Sequence, residues 1–191
     1  MSSPITLRPP ARYGPPPSSY TPPPLTFLAR TWTVAHSTLK MWRSAQNVRI
    51  TYTPLPPTAP GKPDRLDDLV EYETPGGKSV KTVAGIDTAI VGDTTTWRWR
   101  GKGLLCWVTS HWEVLGWGER EDGERWLVFW FAATAFTAEG VDILGDRPEG
   151  VSEGLVGEIK AALGRLEGGG VAGLCEREMR EVGRVLPWKT R

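Results

Sequence analysis

The stretch that decides the fold is LARTWTVAHST, Leu28 to Thr38. It reads as a short strand, because β-branched and aromatic residues favour a pleated, half-buried surface. Successive strand side chains point to opposite faces, so Trp32, Val34 and His36 share one face and Thr33, Ala35 and Ser37 the other. An apolar row ending in an imidazole raises the question of what that imidazole meets. Working outward, the same texture recurs in NVRITYTPL (47–55), RLDDLVEYET (65–74), SVKTVAGIDTA (79–89), TTTWRWR (94–100), LLCWVTSHWEVLGW (104–117), ERWLVFWFAATAF (124–136) and VDILG (141–145). PPTAPGKPD, TPGGK, VGD, RGKG, EREDGE and AEG punctuate these segments as turns. Several connections are too short for a crossover helix, so sequence neighbours pair antiparallel. A meander of eight such strands removes its exposed edges by closing. The expected fold is all-β, an eight-stranded antiparallel up-and-down barrel.

Past the last strand the period changes. In VSEGLVGEIKAALGRL, Leu155, Ile159 and Leu163 recur every four residues, flanked by Val156, Ala162 and Leu166. Ser152 suits the N-cap, Glu153 the first turn, and the glycines at 168–170 end the helix. This helix is expected to lie against the barrel wall. VAGLCEREMREVGRVL reads as a second, surface helix ending before Pro187. The chain therefore divides into a Pro-rich, extended or disordered arm (1–26), a barrel with its packing helix (27–167), and a Gly linker with a helical tail (168–191).

Composition narrows the function classes. The net charge of +1 gives no field that would draw nucleic acid or an anionic membrane. The alternation in WRWRGKG places Trp97 and Trp99 on one face and Arg98 and Arg100 in water, so it needs no nucleic-acid partner. The apolar run WLVFWFAATAF is too short to span a bilayer as a helix. Cys106 and Cys175 lack further ligands at metal-binding spacing, so no metal site and no cofactor are expected. The N-terminal segment has no apolar run of signal-peptide type, and a cytoplasmic protein is expected. The PPP clusters of the arm suit an aromatic groove on a partner. Ten tryptophans are the compositional surprise. Each buries about 150–250 Å² of surface, so together they either fill a core or line a pocket for something flat and apolar.

Parity assigns the inward faces. Val48, Ile50 and Tyr52 point in, as do Val70 and Tyr72, Trp97 and Trp99, and the row Val80, Thr82, Ala84 and Ile86. Asp67, Asp68, Glu71 and Glu73 divide between faces and read as a solvated strand. The strand 104–117 is ambiguous. Hydrophobicity alone favours Cys106, Val108, Ser110, Trp112 and Val114 as the inward face. The opposite face carries Thr109, His111 and Glu113 framed by Trp107, Leu115 and Trp117, the composition of a ligand pocket, and is taken as the inward one. On that choice the ligand-binding residues are Trp32, His36, Tyr52, Trp99, Trp107, His111 and Glu113.

The early Trp32, the meander and the C-terminal helix together resemble the calycin group, the lipocalins and fatty-acid-binding-like barrels. The lipocalin opening is Gly-X-Trp; in ARTW, residues 29–32, Arg30 holds the glycine position and Trp32 is retained. The resemblance implies a plug tryptophan at one barrel end with a basic residue beside it, for which Arg125, Arg98 and Arg100 are candidates. It also implies a carrier of a small hydrophobic or aromatic ligand. The alternative is a barrel enzyme of isomerase, dehydratase or cyclase type, with His36 or His111 as general base and Glu113 as its partner.

Overall fold

The computed structural model describes residues 5–90, 92–135 and 137–190. Residues 1–4 of the arm, Val91 of the VGD turn, Phe136 of the expected seventh strand and Arg191 lie outside them. The strands are β1 (Thr31–Ser37), β2 (Gln46–Leu55), β3 (Arg65–Glu73), β4 (Val80–Ile90), β5 (Asp93–Gly101), β6 (Thr109–Glu119), β7 (Arg125–Phe131), β8 (Gly140–Gly145) and the two-residue β9 (Arg180–Glu181). Each of β2 to β7 pairs antiparallel with the next, and β1 pairs with both β8 and β2. That last pairing closes the ring, so β1 to β8 form an up-and-down barrel with no open edge between them. A helical turn α1 (Leu25–Leu28) precedes β1, and helices α2 (Glu153–Gly164) and α3 (Val171–Glu178) follow β8.

Two apolar clusters lie on either side of the sheet. The inner one gathers Trp32, Val34, Val48, Ile50, Tyr52, Leu66, Ala89, Trp97, Trp112, Val114, Leu127, Phe129 and Leu144. The outer one sets Leu155, Ile159 and Leu163 of α2 against Val128, Trp130, Val141 and Ile143 of β7 and β8. The four-residue period of α2 is thus the imprint of the barrel wall. Its N-terminus is held differently from the simple cap. Ser152 donates from its backbone N–H and its hydroxyl to the buried Glu124 carboxylate, at 2.7 and 2.9 Å. The second helix stops at Glu178, and the chain after it turns into β9 against β1.

Two β-bulges reverse the parity of their strands. In β1 the register passes from Val34 opposite Leu144 to His36 opposite Ile143, so Ala35 is an extra residue. Its carbonyl accepts from Val182 N–H at 3.0 Å, a bond to the C-terminal segment in place of a ladder bond. Beyond the bulge His36 shares the outer face with its partner Ile143, and Ser37 points inward. In β6, Val114 faces Phe129 and Gly116 faces Val128, leaving Leu115 as the extra residue. Ser110, Trp112 and Val114 therefore point in, His111 and Glu113 point out, and Trp117 returns to the inside. This corrects the face assigned to β6. The face assigned to β4 is also reversed: Val83, Asp87 and Ala89 face in, and Thr82 and Ile86 do not.

The described part of the Pro-rich arm is anchored to the barrel at Leu7, Arg8 and Pro10, which are buried, while residues 15–19 are exposed. It runs along the outside of β6, where Arg8 N–H donates to Leu115 O at 2.8 Å and Arg8 Nε to Val114 O at 3.0 Å. Arg8 also ion-pairs with Glu113, both side chains nearly inaccessible. Tyr20 Oη donates to Val114 O, and Trp117 Nε1 reaches Thr21 O at 2.8 Å. Arg8, Tyr13 and Tyr20 supply anchors between the prolines. Removing one partner of a buried ion pair leaves the other charge uncompensated. Arg8→Ala is expected to lower the unfolding free energy in urea by about 3 kcal/mol, and to expose the arm to limited proteolysis; a freely solvated arm would show neither effect.

Candidate ligand cavity

One end of the barrel is sealed. Trp32 is wholly buried there, its Nε1 donating to Leu28 O at 3.0 Å. Phe27 lies between it and Trp117, with ring centroids 5.4 and 4.6 Å away. Further up, Tyr52, Trp112 and Trp97 form a stack, with neighbouring centroids 5.6 and 5.5 Å apart and interplanar angles of 18° and 11°. Above this stack the barrel is open. A cavity of about 420 Å³ is walled by Ile50, Val70, Val83, Trp99, Phe129 and Phe131, with Trp42 and Trp107 at the mouth. That volume falls within the range of small-molecule sites. A tryptophan lies flat on the wall here because β4 supplies a glycine: a Cβ on Gly85 would sit 2.1 Å from Trp99 Nε1.

Carboxyl groups interrupt this apolar lining. Asp68 projects from β3 directly opposite Tyr52 of β2 and diagonally from Asp87 of β4. Asp142 projects from β8 and accepts a hydrogen bond from Ser37 Oγ. Asp68 and Asp142 line the cavity, and Asp87 stands behind it, taking Trp112 Nε1–H at 2.7 Å. All three are almost fully inaccessible. Burial, and then the neighbouring charge of Asp87, pushes Asp68 well above the usual carboxylate range. Burial raises Asp87 as well, against the pull of its bonds from Trp112 and Asp68. Two neighbouring buried carboxyls each disfavour a second negative charge, so the pair favours holding a proton. Burial pushes Asp142 up to about 7, the Ser37 bond opposing it. The Tyr52 hydroxyl is raised too, first by burial and then by all three aspartates, which places them around a single phenol.

No family model and no curated protein matches the chain by sequence. Solved structures do match in three dimensions. Lobster apocrustacyanin A1 superposes with a TM-score of 0.55 at 11% identity, over 84% of this chain and 79% of that one. Apocrustacyanin C1 gives 0.54 at 11% identity, over 83% and 78%. The siderocalin Ex-FABP gives 0.51 at 9% identity, over 84% and 96%. The chain has the calycin fold. Its sealed end carries the plug arrangement that the early tryptophan implied, with a different basic residue. Arg30, two residues before Trp32, lies 5.5 Å from the indole and 5.0 Å from the Phe27 ring. Arg125, on the β7 face of Leu127 and Phe129, shares Asp146 with Arg30 and also pairs with Glu119.

Of the residues expected to line this calycin pocket, Tyr52, Trp99 and Trp107 do so. Trp32 belongs to the sealed base. His36 sits on the outer wall, where burial and then Lys160 lower its pKa to about 4. His111 and Glu113 pair at 3.0 Å, outside the barrel and beneath the arm. Burial works to raise Glu113, but the His111 bond, Ala11 N–H and Arg8 outweigh it and hold the carboxyl below its ordinary range. The two imidazoles therefore share no chamber, and neither they nor Glu113 line the cavity. The residues missed are Asp68, Asp87 and Asp142. Asp68 shares the parity of Val70 and Tyr72, a signal overridden by reading the acidic run 67–73 as solvated.

A carboxyl whose pKa rises on folding binds its proton more tightly in the native state. Stability is then full below the unfolded value of about 4 and falls as pH rises towards the native value near 7. For Asp142 the loss is on the order of 4 kcal/mol. Urea denaturation between pH 4.5 and 8 is expected to show this decline, and Asp142→Asn to make it shallower. An unchanged slope in the variant would mean that Asp142 titrates normally.

Proposed function

We propose that this protein binds a small, flat, largely apolar molecule in the open half of the barrel. The observation that carries the reading is the contrast between the two halves. One is packed solid around Trp32, and the other keeps about 420 Å³ open although bulky aromatics line it. A barrel of this size is readily filled by its own side chains, so space retained beside so many indoles favours an occupant. Trp42 at the mouth buries an indole N–H that has no acceptor among the described residues, a donor left for whatever enters. Binding is favoured over turnover because the imidazoles and the glutamate assigned to acid–base work lie on the outer wall.

Trp99, Trp107 and Trp112 line the cavity and report on it. Titration with a panel of flat aromatics, fatty acids, retinoids and tetrapyrroles is expected to give saturable quenching or a spectral shift with at least one member. Val70→Trp, which places an indole in the space, is expected to weaken that binding about tenfold or more, at a similar unfolding temperature. Absence of a saturable signal across the whole panel would overturn the reading.

A further inference from the structure

A hydrophobic carrier gains nothing from carboxyl groups inside its chamber. Burying an ionised group in an apolar site is costly without an opposite charge. Asp68, Asp87 and Asp142 are 6%, 0% and 2% exposed, and the protein supplies little to balance them. Oδ1 of Asp68 and Oδ2 of Asp87 receive no N–H or hydroxyl donor. The bond between the two carboxyls needs a proton taken from solvent. The basic group that acts on Asp68 is Lys102, which is ion-paired with Asp67 on the outside of the barrel. The other groups facing the three carboxyls are Ser37 and Tyr52, Trp112 Nε1 and Asp67. None of these is a cation. Among the described residues no set of three His, Cys, Asp or Glu side chains converges closely enough to hold a metal ion, so an inorganic cation is not what the arrangement suits.

We infer, resting on the binding function proposed above, that the molecule bound carries a protonated amine on a flat apolar body. The amine sits on Asp68, with Asp87 and Asp142 adding negative charge around it, and the body lies against Tyr52, Trp99 and Trp112. The parts of such a ligand match the parts of the chamber. Ammonium N–H groups are the donors that Asp68 Oδ1 lacks, and charge-assisted bonds of this kind are among the stronger ones. Aromatic faces attract a desolvated cation in their own right. The body buries its apolar surface on walls that are largely aliphatic and aromatic. Entry of the cation replaces the protons held by the carboxyls, so binding releases protons and weakens in acid.

The full chain is tested by isothermal titration calorimetry with three probes of nearly one shape: 2-naphthylmethylamine, 2-naphthylmethanol and 2-naphthoate. At pH 8 the amine is expected to bind at least tenfold more tightly than the alcohol, and the carboxylate more weakly than either. From pH 8 to 5.5 the amine is expected to lose at least tenfold in affinity while the alcohol changes little. Heats in buffers of different ionisation enthalpy are expected to show net proton release with the amine and none with the alcohol. In Asp68→Asn, and less completely in Asp142→Asn, the ratio of amine to alcohol affinity is expected to fall towards one. Equal binding of amine and alcohol by the unaltered protein would overturn the inference and leave the cavity function standing. A tenfold amine preference surviving in both variants would also overturn it, by placing the attraction elsewhere. Failure of all three probes to bind would count against the cavity function and remove the inference with it.

Discussion

The position of the Trp112 indole governs the interior. It lies between Tyr52 and Trp97 in a nearly parallel stack, and its N–H is tied to Asp87. Stacked rings contribute beyond their buried area, and a bond to a carboxyl fixes the orientation of the middle ring. The stack forms a floor. Below it Trp32, Phe27 and Trp117 pack into a solid base; above it the same kinds of side chain stand apart around a space. The Asp87 bond also gives one member of the carboxyl pair a structural task, while Asp68 lines the chamber.

The fold was legible because hairpins and alternation are local. Strands β2, β3 and β5 follow the period of two throughout their inward rows, and those rows were readable residue by residue. Helix α2 was equally plain, since its apolar stripe answers to one flat wall. The site was less legible, and one physical reason is the pair of bulges. A single extra residue at Ala35 or Leu115 leaves the strand intact but exchanges its faces, and nothing in the composition around either residue announces it. His36 follows the Ala35 bulge, so parity carried through β1 misplaced it. His111 precedes the β6 bulge and was misplaced because a polar trio framed by indoles was weighed above the hydrophobicity of the opposite face. In β4 no bulge intervenes at Asp87. There hydrophobicity put Ile86 inside, where the barrel holds an acid.

The acids themselves illustrate a limit of reading hydrophobicity as burial. Asp68 lies in a run of charged residues and Asp142 in an apolar one, yet both end in the chamber. What distinguishes them is the face on which they fall in a closed barrel, a non-local property. The N-terminal arm teaches the complementary point. Prolines prevent it from joining the sheet, but Arg8 and Tyr20 find carbonyls that the β6 bulge turns outward, including Val114 O and Leu115 O. The irregularity that moves Glu113 to the outside also provides the seat for the segment that covers it.

The sealed base has a kinetic corollary. With Trp32 and its neighbours closing one end, the chamber is a cul-de-sac, and arrival and departure share one doorway. That doorway is framed by the short 3₁₀ segments at 40–44 and 103–105 and the turn after the second, where Met41, Leu104 and Trp107 stand substantially in solvent. On the proposed binding function, residence time would be set by these few doorway side chains rather than by the hydrogen-bonded barrel wall.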